Sequence, residues 1–210
     1  MLAGHYAAAL GIGALSPRTP LWLLFVGVQL VDIAWSVFVA TGIEVAHVQP
    51  GFTASNGLVL EQVVWSHSLV SAFAWAAAAG LGTLALTRRA EAALALAGAV
   101  LSHWFLDLPM HVPDLPLATD AGPKFGLRLW NSAPASFALE AALLLGGGLL
   151  YARRVPATGR PWVRPALGVL LATLCVSGYY GPQPESIVPT ALIGLFVYLS
   201  LPVFVATTRP

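Results

Sequence analysis

Residues 21–41 read LWLLFVGVQLVDIAWSVFVAT, an unbroken apolar run with a single ionisable side chain, Asp32. A bilayer core about 30 Å thick takes roughly 20 apolar residues of helix, so the stretch reads as a transmembrane span with Asp32 near its middle. An Asp at such depth costs roughly 2.5 to 3.5 kcal/mol on insertion. A charge held there needs partners, and the rest of the chain supplies them at similar depth.

Outward from that span the composition is of one kind. Hydrophobic residues make up 58% of the 210 positions and charged residues 9%, against roughly 25% charged in ordinary soluble proteins. No long polar stretch is left for a separate globule. The expected architecture is an all-α, polytopic transmembrane bundle of six or seven helices, one integral membrane domain over residues 1–210. Ten Lys or Arg against nine Asp or Glu give a net charge of +1, so no bulk field calls for nucleic acid. The lone Cys175 excludes an internal disulfide and a thiolate metal site, and reads as a small buried hydrophobe.

The expected spans are 2–15, 21–41, 66–87, 91–111, 136–151, 163–180 and 187–207. The first is short for a full crossing. It is followed by Arg18 and not preceded by a basic residue, the reverse of a secretory signal, so it reads as a retained helix. Arg18, Arg88, Arg89, Arg153, Arg154, Arg160 and Arg164 fall in connections that alternate onto one side, joined by Arg209 if there are seven spans. The positive-inside rule makes that side cytoplasmic in a cell membrane and turns the amino terminus outward. Trp22 and Trp162 then lie at the inner interface and Trp65 and Trp130 at the outer one. Gly146, Gly147 and Gly148 read as a close helix approach.

With that orientation the unusual polar residues share the outer half. His5, Asp32, Ser66-His67-Ser68, His103, Asp107, His111 and Glu140 all fall there, while the inner halves are nearly free of acids and histidines. His103, Asp107 and His111 repeat every four residues and so share a helix face. Pro109 interrupts that helix, which makes His103 with Asp107 the firmer pair and His111 dependent on a kink. The run from His111 to Pro116 reads as an irregular outer loop with Asp114 as a surface charge, and His47 reads as a loop residue. Imidazole and carboxylate donors suit zinc, and also manganese or iron. The same groups would equally serve a proton relay.

In order and spacing these residues resemble the YdjM-like family of membrane-bound metal-dependent hydrolases. The elements are His5, Asp32 within Gln29-Leu30-Val31-Asp32-Ile33, Ser66-His67-Ser68-Leu69, Ser102-His103 with Asp107, and Leu129-Trp130. They span residues 5 to about 140 and leave out the last two helices. The family's Pro-Asp-Ile-Asp-His segment is replaced here by Val31-Asp32-Ile33-Ala34-Trp35. That implies a smaller ligand set, a substitute from Glu44, His47 or Glu61, or a relative without catalysis. The segment from His103 to His111 is also similar to a helix of zinc-dependent phospholipase C and related single-strand nucleases.

The resemblance implies a divalent metal, zinc first, held by His67, His103 and Asp107 with Asp32 and His5 completing the set. Glu140 or His111 would act as general base or acid on a phosphoester or ester of a lipid or envelope metabolite at the outer face. Lys124 and Arg128 would receive a phosphate or head group. Two other classes stay open at this point. One is a small-cation or proton-coupled transporter using Asp32. The other is a non-catalytic assembly subunit with membrane-protein partners.

Overall fold

The computed structural model describes residues 1–157 and 160–208; Arg209 lies outside them. The chain is an all-α bundle. Its helices are α1 (Ala3–Leu15), α2 (Leu21–Thr41), the single turn α3 (Val64–His67), α4 (Leu69–Thr87), α5 (Ala90–Met110), α6 (Ala133–Arg154), α7 (Val163–Tyr180) and α8 (Ile187–Thr208). Six of them, α2 and α4 to α8, are long and apolar enough to cross a membrane, so the chain is a multi-pass membrane protein. α1 is not one of the six. Its 13 residues rise about 20 Å at 1.5 Å each, short of a hydrocarbon core.

α2 is central and packs on α1, α5 and α8, while α1 lies between α2, α5 and α6. Two glycines permit the tightest of these contacts. A Cβ on Gly147 would stand 2.5 Å from the Ala7 carbonyl oxygen, and one on Gly27 would stand 2.6 Å from Leu96 Cδ1. Thus α1 presses on α6, and α2 on α5, through missing side chains. Gly146 and Gly148, expected to share this role, have no atom within 4 Å of an added Cβ; of the triplet, Gly147 alone makes the close approach. Between the helices lies an apolar core of Tyr6, Leu10, Leu24, Phe25, Val28 and Leu171, among others.

The expected third helix is divided. Ser68 leaves helical geometry at φ −75° and ψ 151°, and its hydroxyl accepts from the Ser71 N–H at 3.0 Å to cap α4. A Ser at an N-cap satisfies a backbone donor that the helix cannot. The break gives the α3 turn a direction of its own, and with it the side chain of His67. α6 begins earlier than expected, at Ala133, because Pro134 falls in the first turn, where its missing N–H costs no bond.

A hairpin absent from the sequence reading covers the end of the bundle opposite the Arg88–Arg89 and Arg153–Arg154 connections. β1 (Val45–Val48) pairs antiparallel with β2 (Leu58–Gln62), and Ala46 and Leu60 bury against Trp35, Val39, Trp104 and Leu115. A second, two-residue pairing joins β3 (Leu115–Pro116) to β4 (Lys124–Phe125). The first residues of α1 reach the interior beneath this cover. Met1 is buried, and its amino group donates to Asp107 Oδ1. The amino end of α1 therefore meets the buried acids.

Candidate metal centre

Four helices build the centre, each in its own way. Asp32 comes from the middle of α2, His67 from the α3 turn, His103 and Asp107 from one face of α5, His5 from the first turns of α1, and His111 from the residue that ends α5. All six are buried. Two overlapping sets bring ligand atoms within 4.8 Å of one another, namely His5, His103 and Asp107, and Asp32, His67 and His103.

His103 is the member common to both. Its Nε2 lies 3.1 Å from Asp107 Oδ2 and 3.5 Å from Asp32 Oδ1, yet in hydrogen-bond geometry to neither. His5 stacks on it with ring centroids 3.9 Å apart and 10° between planes, and sets its own Nε2 3.2 Å from Asp107 Oδ1. His67 Nε2 is 3.4 Å from Asp32 Oδ1, and His111 Nε2 is 3.8 Å from Asp107 Oδ2. Four imidazoles and two carboxylates thus converge on one small volume.

The opposite ring nitrogens are each held by an oxygen. His103 Nδ1 lies 2.8 Å from the Val28 carbonyl oxygen; a carbonyl only accepts, so Nδ1 carries a proton and Nε2 is the nitrogen turned to the acids. His111 Nδ1 donates to Asp114 Oδ1 at 2.9 Å. His67 Nδ1 meets Ser66 Oγ at 2.8 Å, and that hydroxyl gives its proton to Glu44 Oε2 at 2.5 Å. Ser66 therefore accepts from His67, and Glu44 acts on the ring through the serine. Metal-ligating histidines are held in this manner, by oxygen acceptors on the far nitrogen.

Several expectations change here. Pro109 does not take His111 away, because it lies in the last turn of α5 and the His111 N–H still donates to the Asp107 carbonyl at 3.0 Å. Asp114 is not a surface charge; it is buried and orients His111. Trp130 is buried, with its ring 4.0 Å from that of His111. His47 stays outside, paired with Glu61 at 3.1 Å in the hairpin. Lys124 donates to the Glu61 carbonyl at 3.0 Å, and neither it nor Arg128 lines the cavity at the centre.

Comparison with known protein families, with curated proteins and with solved structures finds no match.

Trp35 stands edge-on to His67, with ring centroids 6.3 Å apart. Of the three substitutes considered, Glu44 alone reaches the centre, and it does so behind His67 and not as a direct ligand. Burial pushes the Glu44 carboxyl above its ordinary value, opposed by the two hydrogen bonds from Ser66. Glu44 and Asp114 went unrecognised as supports because each lies in a connection, at a sequence distance that helical periodicity does not address.

A cavity of about 220 Å³ adjoins the centre, lined by Asp32, His67, Asp107 and His111 together with Glu140 and Tyr198. Glu140 is buried on α6. Its Oε2 accepts from the Gly4 N–H at 2.9 Å and its Oε1 from the Tyr179 hydroxyl at 2.8 Å. One carboxylate therefore ties the start of α1 to α6 and α7 beside the cavity.

Proposed function

We propose that this centre holds a divalent cation, zinc first, and that the chain is a membrane-embedded metal-dependent hydrolase of the YdjM-like kind. One observation carries the reading: His67, His103 and His111 each commit Nδ1 to an oxygen and turn Nε2 toward Asp32 or Asp107. The donors fit the ion. Buried imidazoles with two carboxylates and no thiolate are the ligand chemistry of zinc, manganese or iron. His67, His103, Asp32 and Asp107 would hold it, with His5 against Asp107.

A divalent cation in that place supplies Lewis acidity, polarising an ester or phosphoryl oxygen and acidifying water. The chain's own residues do the rest. His111 is the proton carrier: Asp114 holds Nδ1–H, leaving Nε2 to take a proton at the cavity wall, in the manner of an orienting acid behind a general base. Glu140 borders the same space, but both of its oxygens already accept hydrogen bonds that position helices. In the hydrolysis, the oxygen of water bonds to phosphorus or acyl carbon, the ester bond breaks, and the leaving oxygen takes the proton from His111. The substrate class is a phosphoester or ester of a lipid or envelope metabolite, reached from the outer face of a cell membrane if the Arg-rich connections are cytoplasmic.

Transport is supported less. Below the centre the described residues form an apolar core of Phe25, Leu24, Val28, Ala99 and Leu171, with no chain of ionisable groups toward the Arg-rich end. Metal analysis of the purified protein against a His67→Ala, His103→Ala double variant tests the reading. Bound metal in the parent and its loss in the variant is the expected result; equally metal-free preparations under metal-preserving conditions would sink it.

A further inference from the structure

Between α6 and α7 runs an apolar groove of about 450 Å³, walled by Leu144, Leu145, Leu167 and Leu171. It is open where side chains are missing: a Cβ on Gly148 or on Gly168 would meet no atom within 4 Å. Both helices are among the six apolar spans, so the groove lies in hydrocarbon, where lipid enters from the side. Its two ends differ. At the Arg-rich end Arg164 donates to the Val155 and Pro156 carbonyl oxygens at 2.9 and 2.7 Å and lies 5.3 Å over the Tyr151 ring. At the other end Cys175 stands in the wall of both the groove and the cavity of the centre. From Cys175 back to Arg164 the groove runs about 16 Å along α7 at 1.5 Å per residue.

An occupant of this shape has one long apolar arm and one polar end, and the polar end meets the histidines and acids. We infer that the substrate is a membrane phospholipid whose acyl chain lies in the α6–α7 groove while its head-group ester reaches the centre. The inference rests on the metal-dependent reading above and narrows it: a water-soluble phosphoester has no use for an apolar arm of this length. The groove also explains why α6 and α7 stand apart on their membrane side while Glu140 and Tyr179 join them at the cavity.

The probe is lysophosphatidic acid carrying a diazirine near the end of its acyl chain, added to the full chain in nanodiscs, with crosslinks mapped by mass spectrometry and metal measured on the same samples. Crosslinks are expected to concentrate on 144–152 and 164–176. Unlabelled lysophosphatidic acid of the same chain length competes, and glycerol phosphate does not. Gly168→Phe fills the groove and should cut the crosslink yield about tenfold, the size of a typical overpacking cost, with metal content unchanged. Gly148→Phe serves if that variant does not fold. Gly98→Phe, on the exposed face of α5 with no atom within 4 Å of its Cβ, should leave the yield as it was. Crosslinks spread evenly over other exposed residues such as Leu86 and Leu94, or indifferent to both groove variants, would overturn the inference and leave the metal reading standing. A metal-free parent overturns the hydrolase and the substrate role with it, even if the groove takes lipid.

Discussion

At the scale of single residues the centre depends on small groups behind the histidines. Ser66 is the clearest case, because its hydroxyl both accepts from His67 and donates to Glu44. Ser66→Ala should weaken zinc binding by about 10- to 100-fold, the usual effect of losing an outer hydrogen bond to a ligand, with helix content unchanged by circular dichroism. Competition against a chromophoric chelator measures it, and an unaltered affinity would mean that Glu44 and Ser66 do not govern the ring. Asp114→Asn offers a second check. It keeps the shape beside His111 but removes the charge, so turnover should fall while bound metal stays equal to that of the parent. The places of Glu44 and Asp114 behind the histidines were beyond sequence reading because their contacts are made across connections whose course no periodicity predicts.

At the scale of elements, close packing and helix breaks decide where the ligands point. Gly147→Leu would force a side chain into the Ala7 backbone, and should destabilise by about 1 to 3 kcal/mol; Gly146→Leu, with open space, should stay within about 0.5 kcal/mol. Denaturation in mild detergent compares the pair, and equal losses would refute the α1–α6 contact. The spans themselves were legible, since apolar length and bounding Pro and Gly residues mark helices without any knowledge of neighbours. The break at Ser68 was not, although a Ser at an N-cap is a recognisable signal. Continuous hydrophobicity from Leu69 onward masked it. The β1–β2 hairpin was missed for a related reason: its strands of four and five residues are short, and the alternation of Leu58 and Leu60 is easily lost beside far longer apolar runs.

At the scale of the whole molecule, the centre joins α1, α2, α3 and α5, so an ion there should bind the bundle together. An ion that binds the native state alone stabilises it by mass action, about 2.7 kcal/mol at one hundred times Kd. Chelation should therefore lower the thermal midpoint, and zinc at micromolar concentration should restore it; no response in the parent would argue against a metal shared among these helices. The sequence by itself determined that this is a helical membrane bundle, because apolar length and the cost of an unsatisfied backbone in lipid leave little else. It also placed the acids and histidines at similar positions along their spans, since that follows from counting residues along each span. Which of them touch was decided only by tertiary structure. Depth says nothing of azimuth, and the rotation of each helix is set by contacts such as Gly147 against Ala7 and Gly27 against Leu96. Asp32 began as a single costly charge in an apolar stretch, and only the packing of α2 on α5 and of the α3 turn beside it places His67 and His103 at its carboxylate.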